Sequence, residues 1–218
     1  MHAMAGNFSP IESSPEVFGK YAKQLGQYDV MFEDLVAWED WAYDQIVYYR
    51  DSDVKYTSPK KVSPKVWFAH QRVRNTCGTV ALLHLLNNIT EKAIPEDGSI
   101  LEQMKQKSLE ATPEERGKII EKTHEIKELH AYFESEGQTT IDSDEECVLS
   151  HYVTFVIVDG ELYELDGALN SPVNHGKANS KNFMKRVEEI VHGTFMAMEP
   201  DNLAFAAIVA SINQPNEE

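Results

Sequence analysis

Cys77 stands directly before a glycine at the start of a long apolar run, in the segment QRVRNTCGTVALLHLLNN (residues 71–88). A thiol at a helix N-terminus can act as a nucleophile, because the helix dipole and a nearby imidazolium both stabilise the thiolate. Gln71 lies six residues earlier, where its amide and the Cys77 N–H could together stabilise the oxyanion of a tetrahedral intermediate. The alternative is a packed core thiol, which is the more common fate of a single cysteine in an apolar helix.

A base for this thiol is predicted from the segment HYVTFVIVDGELYELDG (residues 151–167). An Asp-Gly pair between β-branched and aromatic runs favours a two-residue hairpin turn, so Val158 should face Glu161. The same register makes Asp166 face Val153, one diagonal step from His151 on the same face of the sheet, and two side chains can close that gap. A carboxylate that orients an imidazole next to a thiol is the arrangement of a cysteine hydrolase.

Other reactive side chains are assigned elsewhere. His84 shares a helix face with Cys77 but lies two turns away, about 10 Å, so we expect a core or partner-facing histidine. His124 and His130 are six apart on a helix, a poor spacing for a shared metal, and are predicted to lie on the surface. Cys147 has acidic neighbours, which disfavour a thiolate, and is predicted to be a bystander. The sequence predicts no metal and no other cofactor.

Caps and hydrophobic periodicity predict the elements that would carry these residues. Ser14 and Pro15 begin a helix that Gly26 ends, and a capping box of Thr112 and Glu115 begins another that runs towards Leu129. Residues 32–53 suit a helix better than a strand. Further elements are predicted as helices over 77–88 and 180–196, strands over 66–71 and 203–211, and loops over 51–65 and from Leu129 to about Glu146.

Composition bounds the class of protein. A chain of 218 residues with 42% hydrophobic residues can bury the core of one domain. The two cysteines, the absence of a run of 18 apolar residues and the lack of a signal-like N-terminus predict a soluble protein, cytoplasmic or also nuclear. A net charge of −16 disfavours nucleic acid and anionic membranes as partners. Acids concentrate between Glu125 and Glu146, which is either a solvated acidic loop or a surface for a basic partner.

These motifs resemble those of the ubiquitin C-terminal hydrolases, a family of deubiquitinating cysteine proteases. The likeness is carried by QRVRNTCGTVALLH, by HYVTFVIVDGELYELDG with the following PVNHG, and by the shorter PIESSPEV, TPEERG and EGQT. It covers most of the chain. The resemblance implies that Cys77 is the nucleophile and His151 the general base and acid. It also implies that Asp166 orients His151 and that Gln71 is the oxyanion donor.

The resemblance further implies an α/β fold, an α-β-α sandwich whose central, mostly antiparallel sheet is flanked by helices in a papain-like way, with a knotted backbone. A single catalytic domain would span residues 1–218, with a crossover loop near 131–147 that limits leaving groups to small or unfolded ones. The implied partner of this monomeric enzyme is ubiquitin or a ubiquitin-like protein, whose basic C-terminal tail suits an acidic surface. The implied contact residues are Pro10, Ile11, Glu12, Glu134, Glu136, Leu203 and Phe205.

One region departs from the family pattern. Relatives carry a long apolar strand between the N-terminal helix and the nucleophile, whereas this chain is shorter there and has no continuous apolar run. Either WAYDQIVYY (residues 41–49) supplies this strand, or the chain is a shortened form that binds ubiquitin with little or no turnover. A general papain-like peptidase or thioesterase that acts on unrelated small substrates is a further possibility.

Overall fold

A computed structural model of the protein describes residues 8–36, 45–50, 61–89, 93–136, 151–197 and 206–212. The strands in these segments are β1 Val30–Asp34, β2 Gln45–Arg50, β3 His151–Val158, β4 Glu161–Leu165, β5 Val173–Lys177 and β6 Ala207–Ile212. They form one sheet in the order β1-β6-β2-β3-β4-β5, and each neighbouring pair is antiparallel.

The described helices begin and end largely at the predicted caps. The Ser14 hydroxyl accepts a hydrogen bond from the Val17 N–H, and Gly26 ends that helix with a φ of 97°. The capping box of Thr112 and Glu115 is also present. The helices are α1 Pro15–Leu25, α2 Cys77–Asn88, α3 Ile100–Lys107, α4 Pro113–Lys122, α5 His124–Glu136 and α6 Phe183–Ile190, which continues into the π-helical turn Val191–Met196.

Helices cover both faces of the sheet, which confirms the predicted sandwich. Alternate residues of a strand point to opposite faces. On β3, Tyr152 therefore packs into the core formed with α1 to α5, whereas Val153 packs into the core formed with α6. Ile208 and Val209 divide in the same way on β6. The knotted path of the backbone stays a prediction, because the chain between these elements passes through residues outside the described segments.

The helix predicted over residues 32–53 is wrong where the structure describes it, because β1 and β2 are strands. The QIVYYR composition of β2 is rich in β-branched and aromatic residues, which fit a half-buried pleated surface. The strand lies between β6 and β3, in the middle of the sheet. Residues from WAYDQIVYY therefore supply a central strand at the place that the sequence left in doubt, whereas the effect of the shorter region on turnover stays a prediction.

The strand predicted over residues 66–71 is also wrong, although this segment is largely buried. Side chains of α2 take the place of a neighbouring strand: Asn88 Oδ1 accepts from the Trp67 N–H at 2.8 Å, and Asn88 Nδ2 donates to the Trp67 carbonyl at 2.7 Å. The Ala69 N–H donates to His84 Nε2 at 3.1 Å. Buried backbone groups need partners, and here side chains provide them without a ladder.

The acidic region beyond Leu129 corrects another prediction. The single helix expected from residue 112 breaks at Thr123, and α5 then continues to Glu136, so residues 131–136 are helical and not part of a loop. Ile126, His130 and Phe133 follow one another at spacings of four and three and are buried, which ties this acidic helix to the core. Residues 137–147 of the predicted crossover loop, including Cys147, lie outside the described segments.

Candidate active site

Cys77 is the first residue of α2, and its side chain is a free thiol with 5% of its surface exposed. The residue before it, Thr76, occupies the N-cap position, so α2 begins where the sequence predicts a helix over residues 77–88. Asn75 adopts a φ of 63°, a conformation that asparagine tolerates better than most residues. The chain therefore turns sharply into the helix and presents the thiol to the positive end of the helix dipole.

The β3–β4 hairpin has the predicted register. Val158 faces Glu161 and Thr154 faces Leu165, with Asp159 and Gly160 at φ values of 52° and 74° in the turn. Positive φ at both central residues is the geometry that an Asp-Gly hairpin turn favours. The register carries the imidazole at the start of β3 to the carboxylate that follows β4.

His151 Nε2 lies 2.5 Å from Asp166 Oδ1, and the aspartate is fully buried. The Ala168 N–H also donates to Asp166 Oδ1, at 2.8 Å, so this oxygen is held in place from two sides. Cys77 also interacts with His151, and this interaction helps to raise the pKa of the imidazole. Because Nε2 is taken by the aspartate, Nδ1 is the ring nitrogen left for the thiol. The structure thus brings a thiol, an imidazole and a carboxylate together in one site.

The electrostatics of His151 suit a partner for a thiolate. Burial by itself lowers the pKa of His151, but the hydrogen bonds with Asp166 and Cys77 outweigh it and raise the pKa to about 9. The imidazolium therefore persists at neutral pH and can stabilise a neighbouring thiolate.

Gln71 lies beside the residue that follows Asp166. Its N–H donates to the Gly167 carbonyl at 2.8 Å, and a Cβ atom on Gly167 would come within 3.0 Å of Gln71 Cβ. The side-chain Nε2 donates to the Val73 carbonyl at 3.0 Å, which leaves its second hydrogen for another acceptor. The role of Gln71 as an oxyanion donor stays a prediction.

A second histidine and carboxylate are paired in the same sheet. His175 Nε2 lies 3.1 Å from Glu164 Oε2, and Glu164 is fully buried. Core packing can therefore accommodate such a pair without catalysis. Cys77, the only cysteine that the structure describes, interacts with His151, and this thiol distinguishes the His151 pair.

The predicted contact residues for ubiquitin fall into different environments. Pro10 and Glu12 are half-buried, whereas the Ile11 side chain is 3% exposed and packs in the core. Glu136 lies 3.8 Å from Lys20 Nζ. Their contacts with ubiquitin stay predictions, as do those of Leu203 and Phe205, which lie outside the described segments.

Glu134 is already bonded within the chain, because its Oε2 accepts from the Ser9 N–H at 2.7 Å. Burial raises the pKa of Glu134. The prediction that its helix neighbour His130 lies on the surface is wrong, because only 1% of the surface of His130 is exposed. His130 Nε2 donates to the Ser9 carbonyl at 3.0 Å, and Nδ1 accepts from the Thr79 hydroxyl at 2.7 Å. The helical spacing with Ile126 and Phe133 was the signal that could have revealed its burial.

The two other histidines with a prediction, His84 and His124, agree with it. His84 is fully buried in the core, where burial lowers its pKa to about 4. His124 is exposed and pairs with Glu128. Among the described residues, no three His, Cys, Asp or Glu side chains are grouped to hold a metal ion. None of the helices in the described segments is long and apolar enough to cross a membrane.

A thiol at the head of a helix, beside an imidazole that is hydrogen-bonded to a buried carboxylate, defines a cysteine hydrolase on this α-β-α sandwich. The sequence model of the family described as "Ubiquitin carboxyl-terminal hydrolase, family 1" matches residues 8–196. The chain belongs to this family and is a cysteine-type ubiquitin C-terminal hydrolase.

Individual relatives agree with this assignment. Ubiquitin carboxyl-terminal hydrolase isozyme L1 of Monodelphis domestica is 31% identical over 217 residues, covering 91% of this chain and 96% of the relative. The isozyme L1 of Homo sapiens is 30% identical with the same coverage. The fold is similar to that of Trichinella spiralis UCH37 bound to ubiquitin vinyl methyl ester, with a TM-score of 0.75 and 21% identity over 96% of this chain and 84% of that one.

Proposed function

We propose that the enzyme cleaves adducts from the C-terminal glycine of ubiquitin or a ubiquitin-like protein through a thioester on Cys77. The grouping of Cys77 with His151 and its hydrogen-bonded partner Asp166 carries this proposal. The Cys77 thiolate attacks the carbonyl carbon of the terminal glycine, and the bond to the leaving amine breaks as His151 donates its proton to that amine.

Hydrolysis of the thioester completes the cycle. His151, now neutral, accepts a proton from water, the hydroxide adds to the thioester carbonyl, and the thiolate leaves. Asp166 holds the imidazole in the orientation that both steps need, because its Oδ1 is hydrogen-bonded to His151 Nε2. Gln71 Nε2 and the Cys77 N–H are assigned to the oxyanion of the two tetrahedral intermediates.

The choice of ubiquitin as partner is supported by charge. The chain carries 36 acids against 20 bases, and the basic C-terminal tail implied for ubiquitin would be attracted to such a surface. We further propose that small or unfolded adducts are preferred and that the enzyme works as a monomer in the cytoplasm or nucleus. Size-exclusion chromatography of the enzyme and cleavage of ubiquitin joined to folded or unfolded proteins test the first two of these points.

Turnover of a fluorogenic substrate attached to the ubiquitin C-terminus tests the mechanism. Wild type should release the fluorophore, and Cys77→Ala should not. Cys147→Ala is the matched control, because it removes the other thiol of the chain and should keep the wild-type rate. Equal rates for wild type and Cys77→Ala would refute the proposed nucleophile. Cleavage of unrelated peptide esters with indifference to ubiquitin would refute the proposed substrate class.

A further inference from the structure

Residues 8–11 form an N-terminal strap that runs past the start of α2. At one end, Asn75 Nδ2 donates to the Phe8 carbonyl at 2.7 Å. At the other end, the Tyr152 hydroxyl donates to the Ile11 carbonyl at 2.9 Å, and this hydrogen bond is buried. The strap is therefore fastened both to the loop that precedes Cys77 and to strand β3.

The Ile11 side chain lies where the strap, α2 and β3 meet. A Cβ atom on Gly78 would be 3.5 Å from Ile11 Cβ and 3.5 Å from Cδ2 of the Tyr152 ring. Gly78 directly follows Cys77, and Tyr152 directly follows His151. Ile11 therefore packs close to the chain neighbours of both Cys77 and His151. Since adjacent Cα atoms are joined by rigid peptide units, a shift of either neighbour moves the catalytic group beside it.

A separate hydrogen bond joins α2 and β3 farther from the catalytic end. The Thr154 hydroxyl donates to the Ala81 carbonyl at 2.8 Å, one turn of α2 beyond Cys77. This contact keeps α2 on the sheet when the strap is loosened. At the catalytic end, α2 and β3 meet where Gly78, the Tyr152 ring and Ile11 pack together.

We propose that Ile11 and Tyr152 are positioning residues that hold Cys77 within hydrogen-bond distance of His151. The inference rests on the roles proposed above for Cys77 and His151. Loss of the Tyr152 hydroxyl releases the Ile11 carbonyl, so the strap moves away from Gly78 and Tyr152. The distance between the thiol and the imidazole then increases. The thiolate is then less stabilised, and proton transfer to the leaving group slows.

Tyr152→Phe tests this proposal, because it removes only the hydroxyl and keeps the ring packed against Gly78. Tyr163→Phe is the matched control on the same hairpin, since the buried Tyr163 side chain also loses hydrogen bonds, to the Ser63 N–H and to Glu161. One readout is kcat and KM with the ubiquitin fluorogenic substrate. The other is the rate of Cys77 alkylation by iodoacetamide against pH, measured by mass spectrometry of the Cys77 peptide, which needs no turnover.

Tyr152→Phe should lower kcat about tenfold with little change in KM, because a small misplacement of reacting groups slows chemistry without weakening remote binding. Cys77 alkylation near neutral pH should be slower, because the thiol lies farther from the imidazole. Both variants leave the ionisable partners of His151 in place, namely Asp166 directly after β4 and Cys77 at the start of α2. Tyr163→Phe should therefore keep the wild-type kcat and the wild-type alkylation profile.

An alkylation profile of Tyr152→Phe that coincides with those of wild type and Tyr163→Phe would overturn the proposal. So would equal losses of kcat in the two variants, which would indicate a general loss of stability. A wild type that fails to turn over the ubiquitin substrate would refute the proposed function. In that case the alkylation profiles alone would still decide whether Tyr152 positions Cys77.

Discussion

Gly117→Ala should impair catalysis from a helix that carries no catalytic group. A Cβ atom on Gly117 of α4 would lie 2.4 Å from the His70 carbonyl oxygen, where an ordinary contact begins at 3.4 Å. This oxygen belongs to the peptide bond that leads into Gln71, whose N–H is bonded to the Gly167 carbonyl. The Arg72 side chain is also close, but it can move aside because its contacting atoms are Cδ and Cγ of a flexible chain.

The expected size of the effect follows from this clash. Relief requires α4 and the segment at residue 70 to separate by roughly 1 Å, which is the difference between the two distances. A displacement of this size at an oxyanion donor should lower kcat by about 10- to 100-fold and change KM little. The free energy of unfolding should fall by about 0–2 kcal/mol, because overpacking costs about 1–3 kcal/mol and replacing a helical glycine recovers about 1.

Steady-state kinetics with the ubiquitin fluorogenic substrate and urea unfolding are the assays. Gly19→Ala is the matched control, since it also replaces a glycine within a helix but meets only Phe32 Cδ2, at 3.8 Å. If Gly117→Ala acts through Gln71, adding it to Gln71→Ala should lower kcat little further. A kcat equal to that of Gly19→Ala, or a full additional loss on top of Gln71→Ala, would refute the reasoning.

Three further predictions concern the same framework. Asp166→Asn should lower the pKa of His151 from about 9 and reduce kcat by about 10²–10⁴-fold, which a pH–rate profile would detect; an unchanged profile would contradict the assigned role. The folded-state pKa of His151 lies above its ordinary 6.5, so its contribution to stability should be complete below pH 6.5 and lost as the pH rises through about 9. Urea unfolding should therefore show a larger loss between these pH values in wild type than in Asp166→Asn, and equal losses would count against it. Asn88→Ala should reduce the free energy of unfolding by about 2–4 kcal/mol, because it leaves the Trp67 N–H and carbonyl without their partners; a loss below about 1 kcal/mol in urea unfolding would show that other groups satisfy them.

The catalytic pair was predictable because a hairpin is a local structure. The Asp-Gly turn sets the register of β3 and β4, and counting along that register brings His151 to Asp166. The helix of Cys77 was equally accessible, since its cap position and its apolar length are read within one segment. The approach of Cys77 to His151 joins distant parts of the chain. Their chemistry suggested the pairing in advance, but only the tertiary structure brings the two side chains together.

The errors concern residues whose structure depends on distant partners. The segment over residues 32–53 mixes acids with aromatic residues. Within it, β2 is a strand because both β3 and β6 form hydrogen-bonded ladders with it. Residues 66–71 have the composition of a strand, yet Asn88 and His84 satisfy their backbone groups. His130 lies in an acidic helix and is buried because Thr79 and the Ser9 carbonyl provide partners on both sides of its ring.

The sequence alone therefore determined the chemistry of this protein and the local geometry that carries it: the thiol at the head of α2, the turn that pairs His151 with Asp166, and the caps of α1 and α4. Only the tertiary structure decided which strand lies in the middle of the sheet, how the segment before Cys77 is held, and where the N-terminal strap lies. The physical reason is that caps and turns are satisfied by residues a few positions apart. Central strands and buried loops are stable only with partners that the chain supplies from 20 to more than 100 residues away.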